Sequence, residues 1–226
     1  MPITMRFTVS LCLALGLSQA LPAQVEKISI RTLAIAPAEF PQLWGMDSTK
    51  PVLLEFSPIQ PSEPYQLLRS SPFAIYQGAL NDKGKPADPA PTLLKLPEGP
   101  GILLLSWIYE GKVKFMPIKD TNSSGKYNDW YVINTTAKSI AIQVGTAKPV
   151  AIPPGAHQPL QIDQPAGQGA AIVMASKEDQ AWQKFFSTYW PVQGDKRCLV
   201  LLVQTGESIE VKQIFEDLAR AVPKEK

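Results

Sequence analysis

The side chains able to do chemistry are few in this chain, and their spacing limits them further. The single histidine, His157, lies in Pro-Pro-Gly-Ala-His-Gln-Pro, a turn-forming run, and no second histidine exists to build a zinc site with it. A serine nucleophile would have to use the same ring, yet no Gly-x-Ser-x-Gly elbow presents a serine. His157 therefore reads as an exposed turn residue. Gly167-Gln168-Gly169 lacks the third glycine of a dinucleotide loop. Asp120, Asn122, Asn128 and Asp129 are the nearest approach to a set of oxygen ligands, but they lack the alternating Asp-x-Asp-x-Asp order of a calcium loop and read as a solvated connection. The expectation is no metal and no cofactor.

Paired carboxylates for glycoside hydrolysis are assembled by the fold and leave no local pattern. Glu55, in Leu-Leu-Glu-Phe, is the acid flanked by strand-forming apolar residues, and it reads as facing solvent from an alternating strand. No residue is assigned a catalytic role. The remaining binding candidates are Trp44, Tyr65, Trp130 and Trp190, which stand next to turns where a ring could stack on a sugar or a partner chain, together with Asp129 beside Trp130. Trp107 and Trp182 read as core.

The elements that would position these residues are strands. The chain has 22 prolines, and their density between Pro37 and Pro100 excludes long helices there, because proline removes a backbone donor and clashes within a helix. Between them stand short apolar or alternating runs at Ile28 to Ile35, Val52 to Phe56, Phe73 to Tyr76, Leu93 to Leu96, Ile102 to Tyr109 and Val113 to Ile118. Glu110-Gly111 joins the last two as a tight hairpin. Later runs at Ile140 to Val144, Val150 to Ile152, Ala170 to Ala175, Leu199 to Val203 and Ile209 to Val211 continue the pattern. The expected fold is all-β: one or two packed β-sandwich units of immunoglobulin-like type, with halves at 21–120 and 127–226. Phe215 to Val222 is expected to be a short helical or frayed tail.

Ser176 to Trp190 supports two readings. Ser176 could cap a helix with Asp179 three residues on, whereas aromatic and threonine enrichment favours a strand from about Ala181, with Trp182, Phe186 and Thr188 on one side. Ile102 to Tyr109 and Cys198 to Val203 are apolar on both faces. Such strands need a second cover, here expected from the other half of the molecule.

Asn134-Thr135-Thr136 closes one strand and opens the hairpin toward Ile140, with Asn134 able to bond nearby backbone in an Asx-type turn. It is also a glycosylation sequon, as is Asn122-Ser123-Ser124.

The first residues, MPITMRFTVSLCLALGLSQALPAQ, combine Arg6, an apolar run of about ten residues and a small-x-small triplet, the parts of a secretory signal peptide. Cleavage is expected after Ala20, with Ala23 the next choice; a membrane-spanning helix would need about 20 apolar residues. Cys12 falls inside the signal, so Cys198 is left without an intramolecular partner and, within Lys-Arg-Cys-Leu-Val-Leu-Leu-Val, reads as a small buried hydrophobe. The net charge of +2, with no basic cluster, gives no footprint for nucleic acid. The expected location is the periplasm or the cell exterior, without stable membrane insertion after cleavage.

The second half resembles a group of uncharacterised exported bacterial proteins built from β-sandwich units. In that group a strand ending in Asn-Leu/Thr-Ser/Thr leads through a hairpin to a Pro-Gly turn, matched here by Val132-Ile133-Asn134-Thr135 and Pro154-Gly155. A later aromatic strand is similar to Trp182, Phe185-Phe186-Ser187 and Trp190-Pro191, followed by Arg197 to Val203. The resemblance implies a sandwich fold and a strand at Ala181 to Tyr189, and carries no activity. Two function classes follow: a non-enzymatic binding or structural protein with a protein or carbohydrate ligand, or a hydrolase of a cell-envelope or extracellular polymer acting through two carboxylates.

Overall fold

The computed structural model describes residues 26–86, 90–120, 129–165, 167–179 and 181–217. These contain strands and no helix, and none of their segments is a helix long and apolar enough to cross a membrane. In chain order the strands are β1 Lys27–Ala34, β2 Leu43–Asp47, β3 Lys50–Leu53, β4 Tyr65–Leu68, β5 Phe73–Gln77, β6 Thr92–Leu94, β7 Gly101–Tyr109 and β8 Lys112–Lys119. They continue as β9 Asp129–Asn134, β10 Ile140–Val144, β11 Val150–Ile152, β12 His157–Gln161, β13 Gly169–Glu178, β14 Ala181–Pro191, β15 Lys196–Thr205 and β16 Ser208–Asp217.

The strands form four sheets of four: β4-β1-β7-β8, β3-β2-β5-β6, β12-β9-β15-β16 and β11-β10-β13-β14. Substituting β9 for β1, β10 for β2 and so on through β16 for β8 converts the first two sheets into the last two. Pairing directions agree throughout, including the parallel pairs β1–β7 and β9–β15. The molecule is thus a tandem repeat of one eight-stranded topology. Equivalent positions follow from the register: Leu103 faces Ile118 in the first half as Leu199 faces Ile214 in the second.

Burial divides the core into three layers. Ile28, Ile30, Leu43, Leu67, Phe73, Ile75, Ile102 and Leu104 fill the first sandwich. Trp130, Val132, Ile140, Ile172, Met174, Trp190, Val200 and Leu202 fill the second. Between them, Leu33, Ile35, Leu103, Leu105 and Ile118 pack against Tyr131, Ile133, Leu199, Leu201 and Ile214. The equivalent sheets of the two halves therefore meet face to face, which is why β7 and β15 are apolar on both sides: each central strand faces its own sandwich with one set of side chains and the other half with the next.

Several strands carry weak sequence signals for physical reasons. Gly45 interrupts β2 because a Cβ there would stand 2.6 Å from Leu67 Cδ1, so the two sheets approach through that glycine. β4 is short and proline-flanked, and β12 contains Pro159; both are edge strands, where a missing donor costs no ladder bond. The Glu110-Gly111 hairpin has both residues at positive φ, 50° and 69°, the conformation of a type I′ turn.

Two expectations change. Phe215, Glu216 and Asp217 do not start a helical tail but continue β16 opposite Cys198, Arg197 and Lys196, since Phe215 packs on the second core and Glu216 meets the buried Arg197; residues 218–226 lie outside the described part. Ala181–Pro191 is a strand, but Trp182 is not core: it is 47% exposed. The register shifts between Met174 and Ala175, so Phe186 faces Met174, Lys184 faces Ala175, and Phe185 is an extra residue. This bulge turns both Phe185 and Phe186 toward the core and inverts the facing of everything before it, which puts Trp182 outside.

Candidate functional site

The candidate aromatics separate into two environments. Trp130 and Trp190 lie in the second core, 2% and 8% exposed, with ring centroids 5.1 Å apart. Their rings are taken up by this packing and by Phe186, 5.6 Å from Trp190, and offer no platform to a ligand. Asp129 opens β9 opposite Gln161, and its side chain lies outside the described part. Tyr65, in β4, is half-buried against the first core, and its hydroxyl accepts a hydrogen bond from the Glu55 backbone N–H at 3.2 Å.

Trp44 belongs to a different surface. Alternation along β2, β3, β5 and β6 sends Leu43, Gly45, Val52, Phe73, Ile75 and Leu94 inward, and their opposite neighbours outward. Cross-strand register sets Trp44 beside Leu53 and Tyr76, Met46 beside Pro51, and Ala74 beside Leu93. The outward face of an antiparallel sheet is ordinarily polar, yet this one carries no charged side chain among those residues. Leu53 is 38% and Leu93 59% exposed. Trp44 is fixed by donating its indole N–H to the Gly78 carbonyl at 2.7 Å, so the ring has no donor left and presents apolar surface alone. An outward apolar face with two adjacent aromatics has the composition that characterises interaction surfaces. The equivalent face of the second half, with Gln143, Lys177, Lys184 and Ser187 among Ala141, Val173, Ala175, Trp182 and Tyr189, is mixed in character.

The strongest electrostatic feature lies between the halves. Arg31 donates to Asp120 from Nε at 2.7 Å and from Nη2 at 3.0 Å, and its Nη1 donates to Glu216. Arg197 donates to Glu216 from Nη2 at 2.5 Å and from Nε at 3.1 Å, and reaches Asp120 at 3.3 Å. Two cations and two anions thus alternate in a closed ring. Burial alone would raise the Asp120 carboxyl, but the hydrogen bonds and charge of Arg31, seconded by Arg197, hold it below the usual aspartate range. Burial likewise opposes the charge on Arg31, and its two carboxylate partners outweigh it and raise its pKa. The four groups are hydrogen-bonded to one another around the ring, which suits joining two halves rather than turning over a substrate. Asp120 is therefore an ion-pair partner; Asn122 and Asn128 lie outside the described residues.

Beside this ring an open groove of about 360 Å³ is lined by Arg31, Glu55, Glu63, Tyr65, Phe215 and Glu216, among others. Glu55 is exposed at its rim, and Lys212 donates to the Pro58 carbonyl across the junction.

The other reactive side chains are also occupied. His157 is not an exposed turn residue: it begins β12, is half-buried, and its Nδ1 lies 2.8 Å from the Tyr131 hydroxyl, which also donates to the Lys119 carbonyl at 3.2 Å. Burial lowers its pKa against an opposing backbone hydrogen bond. Cys198 is 1% exposed, and burial pushes its thiol up to about 12, with Gln213 Nε2 at 3.6 Å opposing weakly; it is protonated and a poor nucleophile. No group of three or more His, Cys, Asp or Glu among the described residues is arranged to hold a metal ion.

Asn134 is fully buried. Its amide donates to the carbonyls of Lys138, Ile152 and Pro153 at 2.8, 2.9 and 3.1 Å, and its Oδ1 accepts from the backbone N–H and hydroxyl of Thr136. The Asx turn is present, with the side chain additionally tying β9 to the end of β11. An amide so enclosed is closed to glycan attachment in the folded chain. Sequence reasoning missed the apolar sheet face because β2 was not recognised as a strand; the alternation of Leu43 and Gly45 with Trp44 and Met46 is the signal that carries it.

No protein-family model matches the chain, and no curated protein aligns with it.

Proposed function

We propose that the chain is an exported, non-enzymatic binding or structural protein of the periplasm or cell exterior, and that it engages a partner protein through the outer face of β3-β2-β5-β6. The observation that carries this reading is the outward row Leu53–Trp44–Tyr76, flanked by Met46, Pro51, Ala74 and Leu93, on a sheet whose other face already fills the first core. The face lacks the clustered hydrogen-bonding groups that fix a sugar, and Trp44 has spent its only donor internally. It suits an apolar protein surface, with Trp44 and Tyr76 as anchors. Export is supported by the Arg6, apolar-run and Ser18-Gln19-Ala20 pattern. The shared strand-hairpin and W..FFS..WP motifs support kinship with exported bacterial β-sandwich proteins.

The hydrolase reading would draw on Glu55 and Glu63 in the groove beside the ionic ring. Against it, Glu55 is exposed rather than desolvated opposite a second acid, and Glu216 is committed to two arginines. Sequencing the N-terminus of the chain recovered outside the cytoplasm tests export, with Leu21 or Gln24 as the expected first residue. Partner recovery by the exported chain should be lost in Leu53→Lys/Leu93→Lys and unchanged in Glu55→Gln. Release of soluble sugar from cell-wall polymer, abolished by Glu55→Gln, would transfer the reading to the hydrolase.

A further inference from the structure

Among the described residues, the edges of the four sheets are protected in every case but one. β3, β4, β6, β11 and β12 are edge strands of three to five residues. β8 carries Lys112, Lys114, Lys119 and Pro117, and β16 carries Glu210, Lys212, Glu216 and Asp217. Shortness, proline and repeated charge are the devices by which proteins prevent an open edge from pairing with another chain. β14 has none of them over most of its length: it is 11 residues long, holds Lys184 as its only charge, has no proline before Pro191, and among the described residues pairs with β13 alone. Trp182 and Tyr189 stand exposed near its two ends, at 47% and 65%.

We infer that β14 is a self-association edge, pairing antiparallel with β14 of a second copy of this chain about a two-fold axis between Phe185 and Phe186. The observation that selects a second copy is the bulge at Phe185. Outward-facing residues of β14 are Trp182 and Lys184 before it and Ser187 and Tyr189 after it, whereas Gln183 and Thr188 face inward. Two-fold pairing about the Phe185–Phe186 bond is the full-length register that matches face with face. It sets Trp182 opposite Tyr189, Lys184 opposite Ser187 and Gln183 opposite Thr188. In any other such register the inverted parity would set outward residues against inward ones. The strand is thus complementary to itself: each aromatic meets an aromatic, and the lone lysine meets a serine instead of its own copy. The interface is isologous and closes at two copies, joining two four-stranded sheets into one of eight. It uses a different edge from the proposed partner face, so either can fail without the other.

Sedimentation velocity on the exported chain over a range of concentrations tests this. The expected result is a monomer–dimer equilibrium that responds in opposite directions to charge at the exposed Ser187. Ser187→Lys would place like charges opposite one another twice and weaken the dimer, and Ser187→Glu would pair twice with Lys184 and tighten it, by about two- to thirty-fold in Kd each. Equal melting temperatures of the monomers show that both variants fold. As a second readout, Lys184→Cys/Ser187→Cys should cross-link two copies under mild oxidation, because directly opposed residues meet the distance a disulfide needs. A chain that stays monomeric at every concentration, a Kd moved the same way by both charges, or pairing of β14 only with an extended segment of another protein would overturn the inference.

Discussion

Asp120 and Glu216 are the same residue position in two copies of one topology, and each accepts hydrogen bonds from both Arg31 and Arg197. Asp120 follows β8 opposite Gly101, as Glu216, one residue before the end of β16, stands opposite Arg197. One arginine comes from the central strand β1 of the first half and the other from the central strand β15 of the second. The ring crosses the interface twice, through Arg31 to Glu216 and through Arg197 to Asp120.

Removing one member leaves buried charge uncompensated. Asp120→Ala is expected to destabilise the chain by about 3 kcal/mol, the range for breaking a buried ion pair, read from urea midpoints. Arg31→Met/Asp120→Leu removes a cation and an anion together and should cost less than either single change. A double variant as unstable as the sum of the singles would show that the ring does not act as a unit.

The same carboxylate sets the acid limb of stability. Its folded pKa lies below the unfolded one, so its contribution is complete above the ordinary aspartate range and is lost as pH falls through the depressed value. His157 acts at a higher pH by the same sign: its folded pKa is lowered, so below about 6.5 the unfolded chain takes up the proton first and stability declines. Urea midpoints should therefore fall from pH 7.5 to 5.5 and further toward pH 3. Asp120→Asn should flatten the lower step and His157→Gln the upper.

Asn134 stitches two sheets of the second half through buried bonds to Ile152, Pro153 and Thr136. Asn134→Ala strands several of those groups and is expected to cost about 2–4 kcal/mol. Asn134→Asp should be worse, since a carboxylate oxygen would face carbonyl oxygens in place of the amide donor. A thermal melt in which Asp is tolerated better than Ala would contradict this account.

At Gly45 the constraint is steric. A methyl group there would meet Leu67 Cδ1 at 2.6 Å inside the first core, so Gly45→Ala is expected to lose about 1–3 kcal/mol by overpacking. Pairing it with Leu67→Val, which shortens the opposing side chain, should restore part of the loss in chemical denaturation.

The all-β class, the doubly buried β7 and β15, and the Asx turn at Asn134 were legible because each rests on a short-range signal: proline spacing, a two-sided apolar run, a turn residue. What was not legible depends on distant partners. β2, β4 and β12 hold Gly45, flanking prolines and Pro159 because of what lies across the sheet or at its edge. Trp182 looked like core because strict alternation from Phe186 puts it there, and one extra residue at Phe185 reverses the parity. The tandem repeat is carried by topology and by pairs such as Leu103–Ile118 and Leu199–Ile214, not by a run of shared residues. Of the binding candidates, Trp44 lies on the outward face of its sheet, whereas Trp130 and Trp190 turn inward to each other.

We propose above all that the outer face of β3-β2-β5-β6 holds a protein partner. A photoreactive amino acid at Leu93, 59% exposed on that face, tests it in cells of the chain's own source, with Lys83 in the exposed loop as the control position. One discrete adduct of higher mass is expected from position 93, absent from position 83 and lost when Leu53→Lys is added to the same chain. Equal labelling from both positions, or an adduct at position 93 that survives Leu53→Lys, would contradict it.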